Sequence, residues 1–219
     1  MFTFKLQNSN DILNGLANLA SSLEKDIKII NNIFKINGNN GVNSIYSKLY
    51  NLYKKKGIAR FHVILQYIMS AYLYNKGYDV HVEEDIGKGY KADIYAEAPW
   101  ESLIVEVETG YIPPSRHLDF EDYLIGKIIY KTLVYSQYAD KFSIAIPSHL
   151  NIRFPRYLLC RRSLNKYDNL KEIIYYIYKY YNNSINSIFK FIYKSKIDRI
   201  YKIYIINNNI YIKEININC

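Results

Sequence analysis

Hydrophobic positions recur at helical spacing along the first third of the chain. Ile12, Leu13, Leu16, Leu19 and Leu23 fall three or four apart, which predicts one or two amphipathic helices across residues 9–36. Asn37-Gly38-Asn39-Asn40-Gly41 interrupts that pattern, because Asn and Gly accept left-handed backbone that a helix interior excludes. A second helix is expected over 43–54. A third is expected over 58–76, where Phe61, Ile64, Leu65, Ile68 and Tyr72 share one face and Gly77 supplies the stop.

After Gly77 the period shortens to two. Residues 78–84 and 91–97 alternate as strands around a Gly87-Lys88-Gly89 turn, and 102–109 is a third strand rich in β-branched residues. Ala98-Pro99-Trp100-Glu101 makes a connection short enough for the second and third strands to pair antiparallel. A Pro-containing loop over 111–118 leads to a long helix over 119–138 and a short apolar strand over 141–146, ended by Pro147. A helix dense in Tyr and Ile follows over 169–182. The segments 201–206 and 210–217 form a hairpin about Asn207-Asn208-Asn209. Helix, three strands, helix and strand in that order predict an α/β fold, a central mixed β-sheet flanked by helices. Residues 1–42 read as an N-terminal helical extension, and 43–219 as the main domain with its C-terminal helix and β-hairpin.

The strand phase puts acids together. Asp93, Tyr95 and Glu97 point to one face, with Ala92, Ile94 and Ala96 opposite; Glu106 and Glu108 share a face, with Val105 and Val107 opposite. If the two acidic faces coincide, Asp93, Glu106 and Glu108 repel one another strongly and call for a cation. Mg²⁺ or Mn²⁺ suits hard carboxylate oxygens and can act on a phosphodiester. Alternation of this kind also suits any half-exposed strand.

Composition adds a partner. Lys and Arg number 29 against 20 Asp and Glu, a net charge of +9, which favours nucleic acid or an acidic membrane surface. Abundant Ile, Asn, Lys and Tyr also suit an AT-rich coding sequence. Every apolar run is broken by Lys, Asn or Tyr, and residues 1–10 lack an apolar signal-like core, so a soluble, intracellular protein with no membrane partner is expected. Cys160 and Cys219 form no CxxC and have no His at zinc spacing; reduced thiols are expected.

Residues 58–110 resemble the PD-(D/E)XK nuclease superfamily. The pieces stand as the 58–76 helix, Gly77-Tyr78-Asp79-Val80, Lys91-Ala92-Asp93-Ile94 and Ile104-Val105-Glu106-Val107-Glu108-Thr109-Gly110. The last is similar to a V-E-V-E-T-G variant of archaeal and archaeal-virus members, with Holliday-junction resolvases more distant. The resemblance implies a restriction endonuclease-like core, a metal-dependent DNA endonuclease or junction-resolving activity, and Asp93 and Glu106 as ligands of Mg²⁺ or Mn²⁺. A viral member would work in the host cytoplasm. Glu108 stands where the family usually has lysine. Either Glu108 is a third ligand, or a lysine arrives from elsewhere, or the site is weak and the protein binds DNA without cutting it. Lys91, on the face of Asp93, and Lys127 and Lys131, one turn apart on the long helix, are the candidate replacements. The first helix of the pattern often supplies an acid in this superfamily; the nearest match is His62, with Gln66 one turn later.

Arg60, Lys54-Lys55-Lys56, Lys88 and Lys91 are expected to line a phosphate track. Arg153, Arg156, Arg161 and Arg162 form a second basic cluster, and arginine clamps phosphate with two donors. The Tyr-rich helix suits a core or a subunit interface, and a homodimer would match the two strands of a duplex.

Overall fold

The computed structural model describes residues 23–36, 40–56, 58–160, 167–181, 192, 194–207 and 209–217. The helices expected over 9–22, together with Arg161, Arg162 and Cys219, lie outside the described residues.

Among the described residues, three helices precede the sheet: α1 (Leu23–Phe34), α2 (Asn40–Lys56) and α3 (Arg60–Asn75). Gly77 adopts a φ of +90° just past the end of α3, the left-handed step that turns the chain into the first strand. The strands are β1 (Asp79–Gly87), β2 (Tyr90–Ala98), β3 (Glu101–Val107), β4 (Lys141–Pro147), β5 (Arg199–Ile206) and β6 (Asn209–Asn216). A 3₁₀ turn (Pro114–Asp119) and α4 (Phe120–Tyr135) connect β3 to β4. The short α5 (Arg156–Leu159) and α6 (Tyr167–Tyr181) lie between β4 and β5.

The six strands form one sheet in sequence order. Pairs β1–β2, β2–β3 and β5–β6 are antiparallel, whereas β3–β4 and β4–β5 are parallel. The α/β architecture, the mixed sheet and the C-terminal hairpin are those the spacing predicts. Both sides of the central strands are covered, and six of the seven residues of β4 are buried.

Leu23, Ile27 and Ile30 of α1, Ile45 and Leu49 of α2, and Ile64, Leu65 and Ile68 of α3 cover one side of the sheet, over Leu103, Val105 and Val107. On the other side α4 and α6 pack over Ile104, Phe142, Ile144 and Ile200. At Gly126 of α4 an added Cβ would lie 2.6 Å from the Tyr180 ring, so the absence of a side chain sets the close approach of α6. In β3, Ile104 faces α4, and by the two-residue period so do Glu106 and Glu108. That phase decides what the acids meet.

Two expectations need correction. Ala92 packs on the α4 side of the sheet, not with Ile94 and Ala96, which join the α3 side. The alternation breaks beside Glu83, which lies between the Val82–Ile94 and Glu84–Ala92 pairs and has a φ of +49°. Arg60 is an ion-pair partner of buried Asp26, through Nε at 2.9 Å and a closer Nη2 contact, and so ties α3 to α1 instead of lying free for phosphate.

Candidate functional site

The β2–β3 ladder ends at the Ile94–Val105 pair. Beyond it, side chains take over the hydrogen bonding. Val107 N–H donates to Asp93 Oδ2 at 2.8 Å, and Asp93 N–H donates to Glu106 Oε1 at 3.0 Å. Two carboxylates thus replace two backbone carbonyls where the strands separate, and both are fixed in place by it.

α4 crosses above these acids and delivers two lysines one turn apart. Lys131 Nζ lies 2.8 Å from Glu106 Oε2 and 3.7 Å from Asp93 Oδ2. Lys127 Nζ lies 2.8 Å from Glu108 Oε2. Glu108 Oε1 accepts the Gly110 N–H at 3.0 Å. Gly110 reaches that position with a φ of +75°, and an added Cβ would collide with Leu150 at 2.7 Å. The Glu-Thr-Gly ending of the strand therefore closes on itself and needs glycine at its last position.

α3 supplies the other wall. His62 Nε2 lies 3.5 Å from Asp93 Oδ1. One turn on, the buried Gln66 amide donates to Glu83 Oε1 at 3.2 Å and to the Asp93 carbonyl. Gln66 Oε1 is buried with no hydrogen-bond partner among the described residues. His62, Glu83 and Asp93 each offer a ligand atom within 4.8 Å of the others. Among the described residues that set, and not Asp93 with Glu106 and Glu108, is the group brought to metal-ligand spacing.

The electrostatics follow from burial and crowding. Burial, then the Asp93 charge, pushes Glu106 up to about 7 from 4.5, against the pull of Lys131. Burial opposes the charge on Asp93 too, yet Lys131, His62 and the Val107 N–H together hold its carboxyl well below the usual range. Burial opposes protonation of His62, but its contacts with Asp93 prevail and raise it. Burial also works against the Lys131 charge, and three carboxylates, Glu106 first, overcome it and drive its pKa well up.

Of the residues expected at the site, His62, Asp93, Glu106 and Lys131 come together, with Glu108 and Lys127 as an adjacent pair. Lys91 is exposed and pairs with no carboxylate of the cluster among the described residues. The sheet end that holds the cluster also carries exposed Lys88 and Lys91 at the β1–β2 turn, and the 148–156 segment with exposed Arg153 and Arg156. His149 in that segment lies 6.1 Å, ring to ring, from Phe61 beside His62. Glu83 escaped the sequence reading. Its signal was its place across the hairpin from Asp93, counted back from the Gly87–Gly89 turn.

No protein-family model matches this sequence, and no curated protein matches it. A solved structure, that of Pyrococcus furiosus SfsA in complex with Ca²⁺, aligns with a TM-score of 0.29 and 14% identity over 73% of this chain. The aligned part spans 63% of the length of that protein. A likeness at that TM-score assigns no activity to this chain.

Proposed function

We propose that the protein is a metal-dependent DNA nuclease whose centre is built around Asp93. The observation that carries this reading is the convergence on Asp93 of His62, Glu106 and Lys131, in a cluster with more acids than lysines. The donors fit a divalent cation: carboxylate oxygens and an imidazole nitrogen, beside a buried amide oxygen with no described partner. Asp93 would be the shared ligand, with His62, Glu83 or Glu106 completing the set. When bound, such an ion polarises a phosphodiester and lowers the pKa of water.

The chain's own residues do the rest. Lys131, arriving from α4, takes the place of the lysine missing at Glu108. Its ammonium lies over Glu106 and Asp93, where negative charge builds on a phosphate in the transition state. Glu106 orients that lysine and fixes the Asp93 backbone. Lys88, Lys91, Arg153 and Arg156 supply phosphate contacts on the same end of the sheet. A homodimer belongs to this proposal, and light scattering tests it.

Incubation of duplex, branched and single-stranded DNA with Mg²⁺ or Mn²⁺ should give products that EDTA abolishes. Lys131→Ala should cut far more slowly while binding DNA nearly as well. A second reading, DNA binding without turnover, is favoured by Glu108 standing where the resemblance expects lysine, with Lys127 paired to it. Salt-sensitive binding with no product on any substrate would select it.

A further inference from the structure

Glu83 is the acid in the cluster that the lysines do not reach. Lys131 is held by Glu106 and Asp93, and Lys127 by Glu108. No lysine or arginine pairs with Glu83 among the described residues; its carboxylate accepts from the Gln66 amide at 3.2 Å and lies near His62. A strand residue with a φ of +49° is unusual. That conformation occurs where β1 faces Asp93, and it delivers the Glu83 carboxylate beside His62 and Asp93.

We infer that His62, Glu83 and Asp93 form a binding site for one first-row divalent ion that accepts nitrogen as well as oxygen, with Mn²⁺ preferred over Mg²⁺. The inference rests on the reading that the cluster holds a cation, and deepens it by naming the ligands and the class of ion. The three side chains come from three separate elements, α3, β1 and β2, and offer ligand atoms within 4.8 Å of one another. The second observation is Gln66. Its side chain is fully buried, its amide nitrogen touches Glu83 and the Asp93 carbonyl, and its Oε1 has no partner among the described residues. The Gln66 amide thus braces two of the three ligand residues through its nitrogen, and its buried oxygen is left with a hydrogen bond to make.

The ligand set selects the ion. Mg²⁺ is hard, holds its waters and prefers oxygen throughout, whereas imidazole suits the first-row transition ions and Mn²⁺ accepts both donor types. Glu106 falls outside the set because Lys131 already holds it. The ammonium of Lys131 lies where a second ion would otherwise bridge Asp93 and Glu106, so one ion per chain is expected.

Titration of the intact protein with Mn²⁺, read by the EPR signal of the free ion, tests the assignment, with Mg²⁺ as competitor. Wild type should bind one Mn²⁺, and its pulsed-EPR spectrum should show coupling to an imidazole nitrogen. Glu83→Gln should weaken Mn²⁺ binding at least about 10-fold. His62→Ala should remove the nitrogen coupling and most of the preference over Mg²⁺. Glu106→Gln should leave Mn²⁺ affinity within about 3-fold. Bound Mn²⁺ with no nitrogen coupling in wild type, which needs no variant to fold, overturns the inference. So does loss of binding in Glu106→Gln with Glu83→Gln unaffected, which would put the ion between Asp93 and Glu106 and leave the nuclease reading intact. Failure of wild type to bind either ion would overturn both.

Discussion

The two ends of the sheet carry charge in opposite ways. Where β3 begins, Glu101 takes Arg199 through two contacts of 2.7 Å, Glu214 takes Lys76 at 2.6 Å and Arg199 at 3.6 Å, and Asp198 takes Lys196 at 2.6 Å and Lys141 at 3.5 Å. In those ion pairs three acids meet four cations. Where β3 ends, four acids, Glu83, Asp93, Glu106 and Glu108, meet two lysines and one histidine. The first network satisfies itself with protein groups alone, as a structural network does. The second holds more acids than basic groups, with Glu106 and Glu108 buried, an arrangement that a bound ligand can balance. On the proposed reading, the same strand separates a structural role at its start from a chemical role at its end.

Substitutions at the two ends should separate in kind. The largest effect is expected for Asp93→Ala, which removes the group shared by His62, Lys131 and the Val107 N–H. Cleavage should fall by about 10²–10³-fold or more, read as initial rates on a labelled duplex. Arg199→Ala should leave that rate nearly unchanged at temperatures where the variant is folded. It should instead lower stability by about 2–3 kcal/mol in chemical denaturation, less than a fully buried pair costs because Arg199 retains contact with water.

Glu106→Gln sharpens the contrast through pH. Burial and the Asp93 charge raise Glu106 to about 7 in the folded protein, from 4.5. The folded state thus holds its proton more tightly than the unfolded chain. The stability this confers is fully present below about pH 4.5 and is lost as pH rises through about 7. Glu106→Gln should flatten the metal-free stability profile between those values, as measured by thermal melts in EDTA. The smallest effects belong to Lys88→Ala and Lys91→Ala. Each should reduce the slope of log affinity against log salt by about 1, with no change in the rate at saturating DNA.

Much of this was legible in the sequence, and the exceptions have physical causes. The phases of Glu106 and Glu108 follow from the two-residue period of β3, and Lys127 with Lys131 from the turn of α4. Which lysine reaches the acids was not legible. Lys91 and Asp93 share a strand parity, but the alternation breaks at Ala92, and the helix crossing overhead delivers Lys131. Glu83 was hidden because its role depends on cross-strand register and on a left-handed backbone that no side-chain pattern encodes. Arg60 read as a surface cation because Asp26, its partner, lies 34 residues away on another helix. The four-residue α5 was too short to leave a period. The α/β order and hairpins were readable because they rest on local periodicity and turns, which contacts between distant elements do not alter.

Thermal unfolding of the metal-free protein against added Mn²⁺, for wild type and Asp93→Ala side by side, most directly tests whether the acid-rich end of the sheet is a cation site. Wild type should gain stability that rises with the logarithm of free Mn²⁺ and reaches about 2.7 kcal/mol at 100 times the dissociation constant, reversed by EDTA, while Asp93→Ala gains nothing. Identical melting curves for wild type with and without Mn²⁺, or an equal gain in both proteins, would contradict it.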